Sequence, residues 1–264
     1  MIYENTVILS EAKNLKQGRG GITNMSTNIY GIILAGGVGS RMGNVEKPKQ
    51  FIEIGKKPII VHTIEKFMVN PEFEKVIVLT PKQWVPHTKD IIRKNTGKSD
   101  KVVVIEGGAT RNETIMNAIA YIEENETLND ETIIVTHDSV RPFVTHRILE
   151  ESIKYAKEFG ASDTVLAASD TIVESENNEF ITAIPERCKM YQGQTPQTFK
   201  AKKLRDIYNA LSDEEKEALT DACKIYILKG EKVHLVEGEV FNMKITYPFD
   251  LRMAQAILGG EDIC

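Results

Sequence analysis

From Tyr30 onward, short apolar runs alternate with segments whose apolar residues recur at helical spacing. This alternation constrains the fold more than any other feature. "IYGIILA", "KVIVLTP", "KVVVIEGG", "ETIIVTHDSVRP" and "DTVLAAS" read as buried strands. Between them, "PIIVHTIEKFM" (opened by Pro58), "WVPHTKDIIRKN", "NETIMNAIAYIEEN" and "THRILEESIKYAKEFG" (closed by Gly160) read as helices. Strands that are apolar throughout, joined by crossover helices, predict a mostly parallel sheet with helices on both faces, an α/β Rossmann-like architecture. The rhythm breaks at Asp170. "DTIVES", "ENNE" and "FITAIPE" read as two strands around an Asn-rich turn, a β-hairpin arm over about 170–190. A lone hairpin is marginal in water, so pairing with a second copy, a homodimer, is one solution. Helices "KAKKLRDIYNALS" and "DEEKEALTDACKIYILKG" follow, then strands "KVHLVEG" and "FNMKIT", then a closing helix, "YPFDLRMAQAILGG". Without repeats or low-complexity tracts, residues 25–264 read as one domain with an arm.

Bulk properties narrow the partners. The formal net charge is −5, whereas nucleic-acid binding wants a basic footprint, so no nucleic acid is expected. No apolar run approaches the ~18 residues of a membrane span, so no membrane partner is expected either. Cys188, Cys223 and Cys264 are far apart, odd in number and without metal-ligand spacing, which fits a reducing cytoplasm. The stretch before Met25 lacks the apolar core of a signal peptide. Residues 1–24 read as a disordered extension or as the product of an upstream start codon.

In open α/β sheets, ligands bind beyond the carboxyl ends of the strands. Here those ends carry "AGGVGSR", "EGGATRNE" and "HDSVRP". The first belongs to "LAGGVGSRMGNVEKPKQ". No Gly-Lys-Ser/Thr closes it, and Met42 stands where the third glycine of a dinucleotide fingerprint belongs. What remains is a loop whose bare N–H groups can cradle phosphate, with Arg41 and Lys49 as charge partners, or else a structural turn with solvated cations. "EGGATRNE" is a second Gly-Gly turn entering a helix. Either Gly107, Gly108, Arg111 and Thr114 face a nucleotide, or the turn is a tight connection with Asn112 near the N-cap. "HDSVRP" sets Asp138 just past a buried strand, where an exposed carboxylate suits Mg²⁺ and an Asx-type turn is the alternative. Arg187 on the arm and Lys244 in "NMKIT" read alone as surface cations.

Taken in order, "LAGGVGSRMG…PKQF", "GGATRNE", "THDSVRPF", "YQGQTPQTF" and "NMKIT" span nearly the whole chain after Met25. Together they resemble the IspD/TarI cytidylyltransferase family, which transfers CMP from CTP to a sugar- or polyol-phosphate. The resemblance implies a nucleotidyltransferase-like fold, Mg²⁺ or another divalent cation, and CTP as substrate. Within the family, the longer loop between Arg41 and Lys49, "HDSVRPF" in place of "HDAARP", and "TDACKIYI" in place of "TDEAS" resemble the ribitol-5-phosphate branch. That branch makes CDP-ribitol for teichoic-acid polymers. The alternative is the methylerythritol-phosphate branch of isoprenoid synthesis.

The same resemblance distributes roles. Arg41 and Lys49 match transition-state stabilisers. Leu34, Ala35, Gly36 and Gly37 match one CTP-binding loop, Gly107, Gly108, Ala109, Thr110, Arg111, Asn112 and Glu113 the other, and Ser139 a further CTP contact. Arg187 and Lys244 match the residues that position the acceptor phosphate, Arg187 reaching a neighbouring subunit's site. Asp138 matches the carboxylate that approaches Mg²⁺. Ala109 stands where the family often carries an acidic or polar residue, which leaves any ribose contact there to backbone groups. Two other classes compete. A non-catalytic nucleotide sensor would not require Arg41, Lys49, Asp138 and Lys244 together. A nicotinamide oxidoreductase needs the missing third glycine and an acidic residue farther along than Glu53.

Overall fold

The computed structural model describes residues 27–37 and 47–259; Arg41 and the N-terminal extension lie outside the described residues. In chain order, β1 (Ile29–Leu34) is followed by a short ribbon of β2 (Glu53–Ile54) and β3 (Lys57–Pro58) and by α1 (Ile59–Met68). Then come β4 (Lys75–Thr80), α2 (Val85–Thr96), β5 (Val102–Glu106), α3 (Arg111–Asn125), β6 (Ile133–Asp138), α4 (His146–Phe159) and β7 (Ala161–Ala167). The remainder comprises β8 (Tyr191–Lys200), α5 (Ala201–Asn209), α6 (Asp213–Glu217), α7 (Cys223–Leu228), β9 (His234–Glu237) and α8 (Pro248–Gly259).

The seven-stranded sheet runs in the order β5-β4-β1-β6-β8-β7-β9. β1 pairs in parallel with β4 and β6, β4 with β5, and β7 with β9. Only β8 runs antiparallel, against both β6 and β7. The alternation of β1 explains why both faces are covered. Ile29 and Ile33 join the layer formed with α1, α2 and α4, while Tyr30, Ile32 and Leu34 join the layer formed with α3, α5 and α7. Each aliphatic side chain buried in this way contributes roughly 1.5–3 kcal/mol before chain entropy is charged against it. The helix ends follow local chemistry. Thr145 caps α4 through its hydroxyl, and Gly160 ends it in the left-handed conformation at φ 92°.

Three expectations are corrected. The hairpin arm is reduced to a single antiparallel bridge between Glu174 and Ala183. Its apolar residues Val173, Phe180, Ile181 and Ile184 all face solvent, so nothing among the described residues stabilises a longer ladder. "FNMKIT" is not a strand; Ile245 N donates to Val140 O just past β6, and Asn242 Nδ2 donates to Thr195 O of β8. "DEEKEALTDACKIYILKG" breaks into α6 and α7 rather than one helix. One element was not expected at all. "YQGQTPQTF", which lacks an apolar run, forms most of β8, and buried backbone carbonyls within it accept from threonines on the neighbouring strands. Thr136 donates to Gln197 O and Thr164 to Pro196 O, at 2.9 and 2.8 Å.

Candidate active site

The sheet order places successive crossovers on opposite sides of β1, so the topological switch point falls between β1 and β6. Their last residues, Leu34 and Asp138, are register partners. A crevice opens at such a point because the flanking connections leave in opposite directions. Here it is a cleft of about 370 Å³ lined by Leu34, Gly36, Gly37, Lys49, Gly108, Ala109, Thr110, Arg111, Asp138, Ser139 and Lys244, together with Gln50, Thr114 and Val140.

The walls are built by local rules. A Cβ at Gly36 or Gly37 would meet nothing within 4 Å. The protein's own packing therefore does not demand glycine there, and the bare backbone leaves room for a ligand. Gly108 is different: a Cβ would lie 2.5 Å from Glu113 Cβ and 2.8 Å from its carbonyl carbon, so the turn passes too close to α3 for any side chain. The helix is closed by a capping box. Glu113 N donates to Thr110 Oγ1, and the Glu113 carboxylate accepts from Thr110 N and Ala109 N. Thr110 is the N-cap, and Asn112 follows in the first turn. Glu113 is committed to the cap, Asn112 is buried in the helix, and the Ala109 N–H is already in use. Gly107 N is likewise bonded, to Thr80 O.

Lys49 sits on a short 3-10 turn, Lys49–Phe51, and is buried to 7% exposure. Its neighbour Gln50 fastens that turn to the end of β1 by donating to Ala35 O at 2.8 Å. Ala35 itself lies behind the cleft wall, fully buried.

Asp138 is the electrostatic centre. Oδ1 accepts from Arg111 Nη1 at 2.6 Å, and Oδ2 lies 3.4 Å from Arg141 Nε and 3.0 Å from Lys244 Nζ. Burial alone would raise its pKa, but Arg111, Lys244 and Arg141 outweigh burial and hold the carboxyl well below the usual range. Burial also drives His137 down to about 4, so its ring is neutral at neutral pH. The neutral ring accepts the Thr195 hydroxyl at Nδ1 (2.9 Å) and donates from Nε2 to Arg141 O (3.0 Å). Thr195 Oγ1 in turn accepts from Asp138 N at 3.2 Å. One anion faces three cations here, with Lys49 on the same cleft, and the surplus positive charge favours an anionic ligand.

These residues do not form a metal site among themselves. Asp138 is the single carboxylate on the cleft wall among the described residues, and both its oxygens already lie against cations. A divalent ion bound there would have to displace Lys244, the most exposed of the three. Arg187 does not reach the cleft of its own chain; it lies exposed on the arm with Nη1 donating to Ser169 O. Sequence reasoning did not single out Gln50, Val140, Thr195 or Gln197 as site residues. Only the "PKQ" and "TPQ" tripeptides and the "HDSVRPF" stretch of the resemblance pointed toward them.

A sheet of this order, with a cation-rich cleft at its switch point walled by two glycine turns, defines a nucleotidyltransferase-like α/β protein. A profile of the family described as 2-C-methyl-D-erythritol 4-phosphate cytidylyltransferase, IspD, matches residues 29–260, and the chain belongs to this family. Solved structures agree. The 4-diphosphocytidyl-2C-methyl-D-erythritol synthase of Anaerococcus prevotii is 26% identical with a TM-score of 0.71, over 88% of this chain and 96% of that one. The 2-C-methyl-D-erythritol 4-phosphate cytidylyltransferase of Francisella tularensis is 27% identical with a TM-score of 0.70, over 86% and 98%. The enzyme of the same name from Thermus thermophilus is 25% identical with a TM-score of 0.65, over 88% and 98%. Among the described residues no helix is long and apolar enough to cross a membrane.

Proposed function

We propose that this chain transfers the cytidylyl group of CTP to a polyol phosphate and releases pyrophosphate. One observation carries the proposal: a buried Asp138 ringed by Arg111, Arg141 and Lys244, with Lys49 on the same cleft and open glycine backbone at Gly36 and Gly37. The chemistry is anion meeting anion. An oxygen of the acceptor phosphate attacks the α-phosphorus of CTP in line, a new P–O bond forms, and the bond to pyrophosphate breaks with its electron pair leaving on the pyrophosphate. The acceptor is ionised at neutral pH, so no covalent enzyme intermediate is needed. Positioning and charge neutralisation remain for the protein to supply. Lys49 and Arg41 are assigned to the triphosphate, Gly36, Gly37 and the Gly108–Arg111 turn to the nucleotide, and Lys244 to the acceptor phosphate. Arg187 is assigned to the same phosphate from the arm of a second copy, which makes a homodimer part of the reading. A divalent ion such as Mg²⁺ would neutralise charge on the phosphates of CTP, and Asp138 would hold it only with Lys244 withdrawn to the acceptor phosphate.

For the acceptor, methylerythritol 4-phosphate leads, because the solved neighbours are named for it. Ribitol 5-phosphate, which would place the enzyme in teichoic-acid synthesis, keeps one specific point in its favour. Ser139 and Val140, where "HDSVRP" departs from "HDAARP", lie in the cleft wall rather than on a remote surface. Incubation with CTP, Mg²⁺ and each acceptor separately, following pyrophosphate, decides between them. Release with methylerythritol phosphate alone supports the leading reading, release with ribitol phosphate alone reverses it, and release with neither overturns the activity.

A further inference from the structure

Behind the cleft lies a second polar cluster to which neither substrate is assigned. Asp163 on β7, Asp221 before α7 and Cys223 at its start bring a carboxylate oxygen or sulfur within 4.8 Å of one another. The side-chain amide of Gln197 sits among them. Its Nε2 lies 3.1 Å from Asp163 Oδ1, 2.9 and 2.8 Å from the Asp221 oxygens, and 3.3 Å from Cys223 Sγ. A donor fills the place a cation would need, so the cluster is a hydrogen-bond hub and not a metal centre. The other end of the amide faces the cleft, where Gln197 Oε1 accepts from Arg111 Nη2 at 3.4 Å while Arg111 Nη1 holds Asp138.

We propose that Gln197 is a positioning residue for cytidylyl transfer: its amide ties Arg111 to the Asp163–Asp221–Cys223 cluster, so the charge of a cluster that substrate never touches sets how strongly Arg111 serves the nucleotide. The inference rests on the CTP reading above. The polarity of the bridge follows from its ends, since only the amide nitrogen can face two carboxylates and only its oxygen can face a guanidinium. Gln197 is 2% exposed and is pinned in β8 as the register partner of Asp163, so its orientation is fixed by the sheet.

The cluster is able to change charge. Burial, then the neighbouring Asp221, push Asp163 up to about 7, against hydrogen bonds from Gln197 and Cys223 and the attraction of Arg111. The Cys223 thiol is pushed well upward by burial and by the same two carboxylates, and it stays protonated as a donor to Asp163. Arg111 and Arg141 are the cations that feel Asp163. When Asp163 loses its proton, the added negative charge draws on Arg111 from behind and reduces the positive field it presents to the cleft.

The test is the affinity of the full chain for CTP by titration calorimetry between pH 6 and pH 8, in wild type, Asp163→Asn and Gln197→Met. Asp163→Asn keeps an acceptor oxygen for the amide and removes the titration. Comparing the two proteins at each pH cancels the ionisation of CTP itself. The expected ratio of dissociation constants, wild type over Asp163→Asn, is near one at pH 6 and rises to about threefold at pH 8. Gln197→Met is expected to weaken CTP binding at both ends of the range. A ratio that stays constant with pH overturns the proposal even if Gln197→Met fails to fold, and so does a folded Gln197→Met that binds CTP as wild type does. A wild-type protein that binds no CTP overturns the activity reading itself, and this inference with it.

Discussion

Two aspartates, one buried at the end of β6 and one half-buried in β7, sit on either side of a single strand and behave in opposite ways. Asp138 is surrounded by Arg111, Arg141 and Lys244 and is held charged. Asp163 is surrounded by Asp221, the Cys223 thiol and an amide, with Arg111 beyond them, and is pushed up to about 7. Burial raises both; the sign of the neighbours decides the outcome. The strand between them is β8, whose Thr195 and Gln197, two residues apart on one face, address one aspartate each. The difference separates a carboxylate that organises cations for an anionic ligand from one that works as a reserve of charge behind them.

Removing the organising carboxylate gives the largest expected effect. Asp138→Ala leaves three cations crowded without a counter-charge, and losing one partner of a buried ion cluster costs about 3–5 kcal/mol. Thermal unfolding should show it; a variant as stable as wild type would mean that the cations relax into solvent. Lys49→Ala tests the same cleft through chemistry instead of stability. It should cut turnover by about 10²–10³, as the loss of one preorganised charge does, with the fold intact by circular dichroism. Near-normal pyrophosphate release would remove Lys49 from the triphosphate.

The contrast also shows what the sequence made legible. The β-α rhythm placed β1, β4, β5, β6 and β7 because their apolar residues carry the pattern, and the glycine turns marked the cleft because bare backbone has few other uses there. β8 was not legible as a strand, because its buried residues are largely polar and held by hydrogen bonds to neighbouring strands, and periodicity reads only apolar residues. Thr195 and Gln197 were visible only as letters in a family motif. Their work, one hydroxyl for the amide of Asp138 and one amide for Asp163, depends on partners 57 and 34 positions away. The arm failed as a hairpin for the opposite reason: its pattern is apolar, but nothing among the described residues covers it.

Thr195→Val keeps the shape of β8 and deletes only the hydroxyl. It strands Asp138 N–H and His137 Nδ1 in a buried setting, so a loss of about 1–3 kcal/mol is expected in chemical denaturation. A smaller loss in the reverse swap, Val165→Thr on neighbouring β7, would blunt this interpretation, since it would show that this region tolerates mismatched polar groups.

The smallest expected effect is the sharpest for the comparison, because the two aspartates must bend the pH dependence of stability in opposite directions. For Asp138 the folded-state pKa lies below the unfolded value of about 3.9, so its contribution is complete above that pH and is lost only as pH falls further. For Asp163 the folded value of about 7 lies above the unfolded one. Between those two values the folded state holds a proton that the unfolded state has released, so stability falls as pH rises and levels off above about 7. Asp163→Asn has no such proton to lose. Its stability relative to wild type should therefore improve from pH 5 to pH 8, by about 1–2 kcal/mol after allowing for relaxation around a buried pair. Denaturation midpoints of the two proteins at pH 5, 6, 7 and 8 measure the gap. A gap that does not widen would mean that Asp163 is ionised throughout, stabilised by Arg111 through Gln197 as Asp138 is directly, and the two sites would then be one extended ion network instead of a charged centre and its titratable reserve.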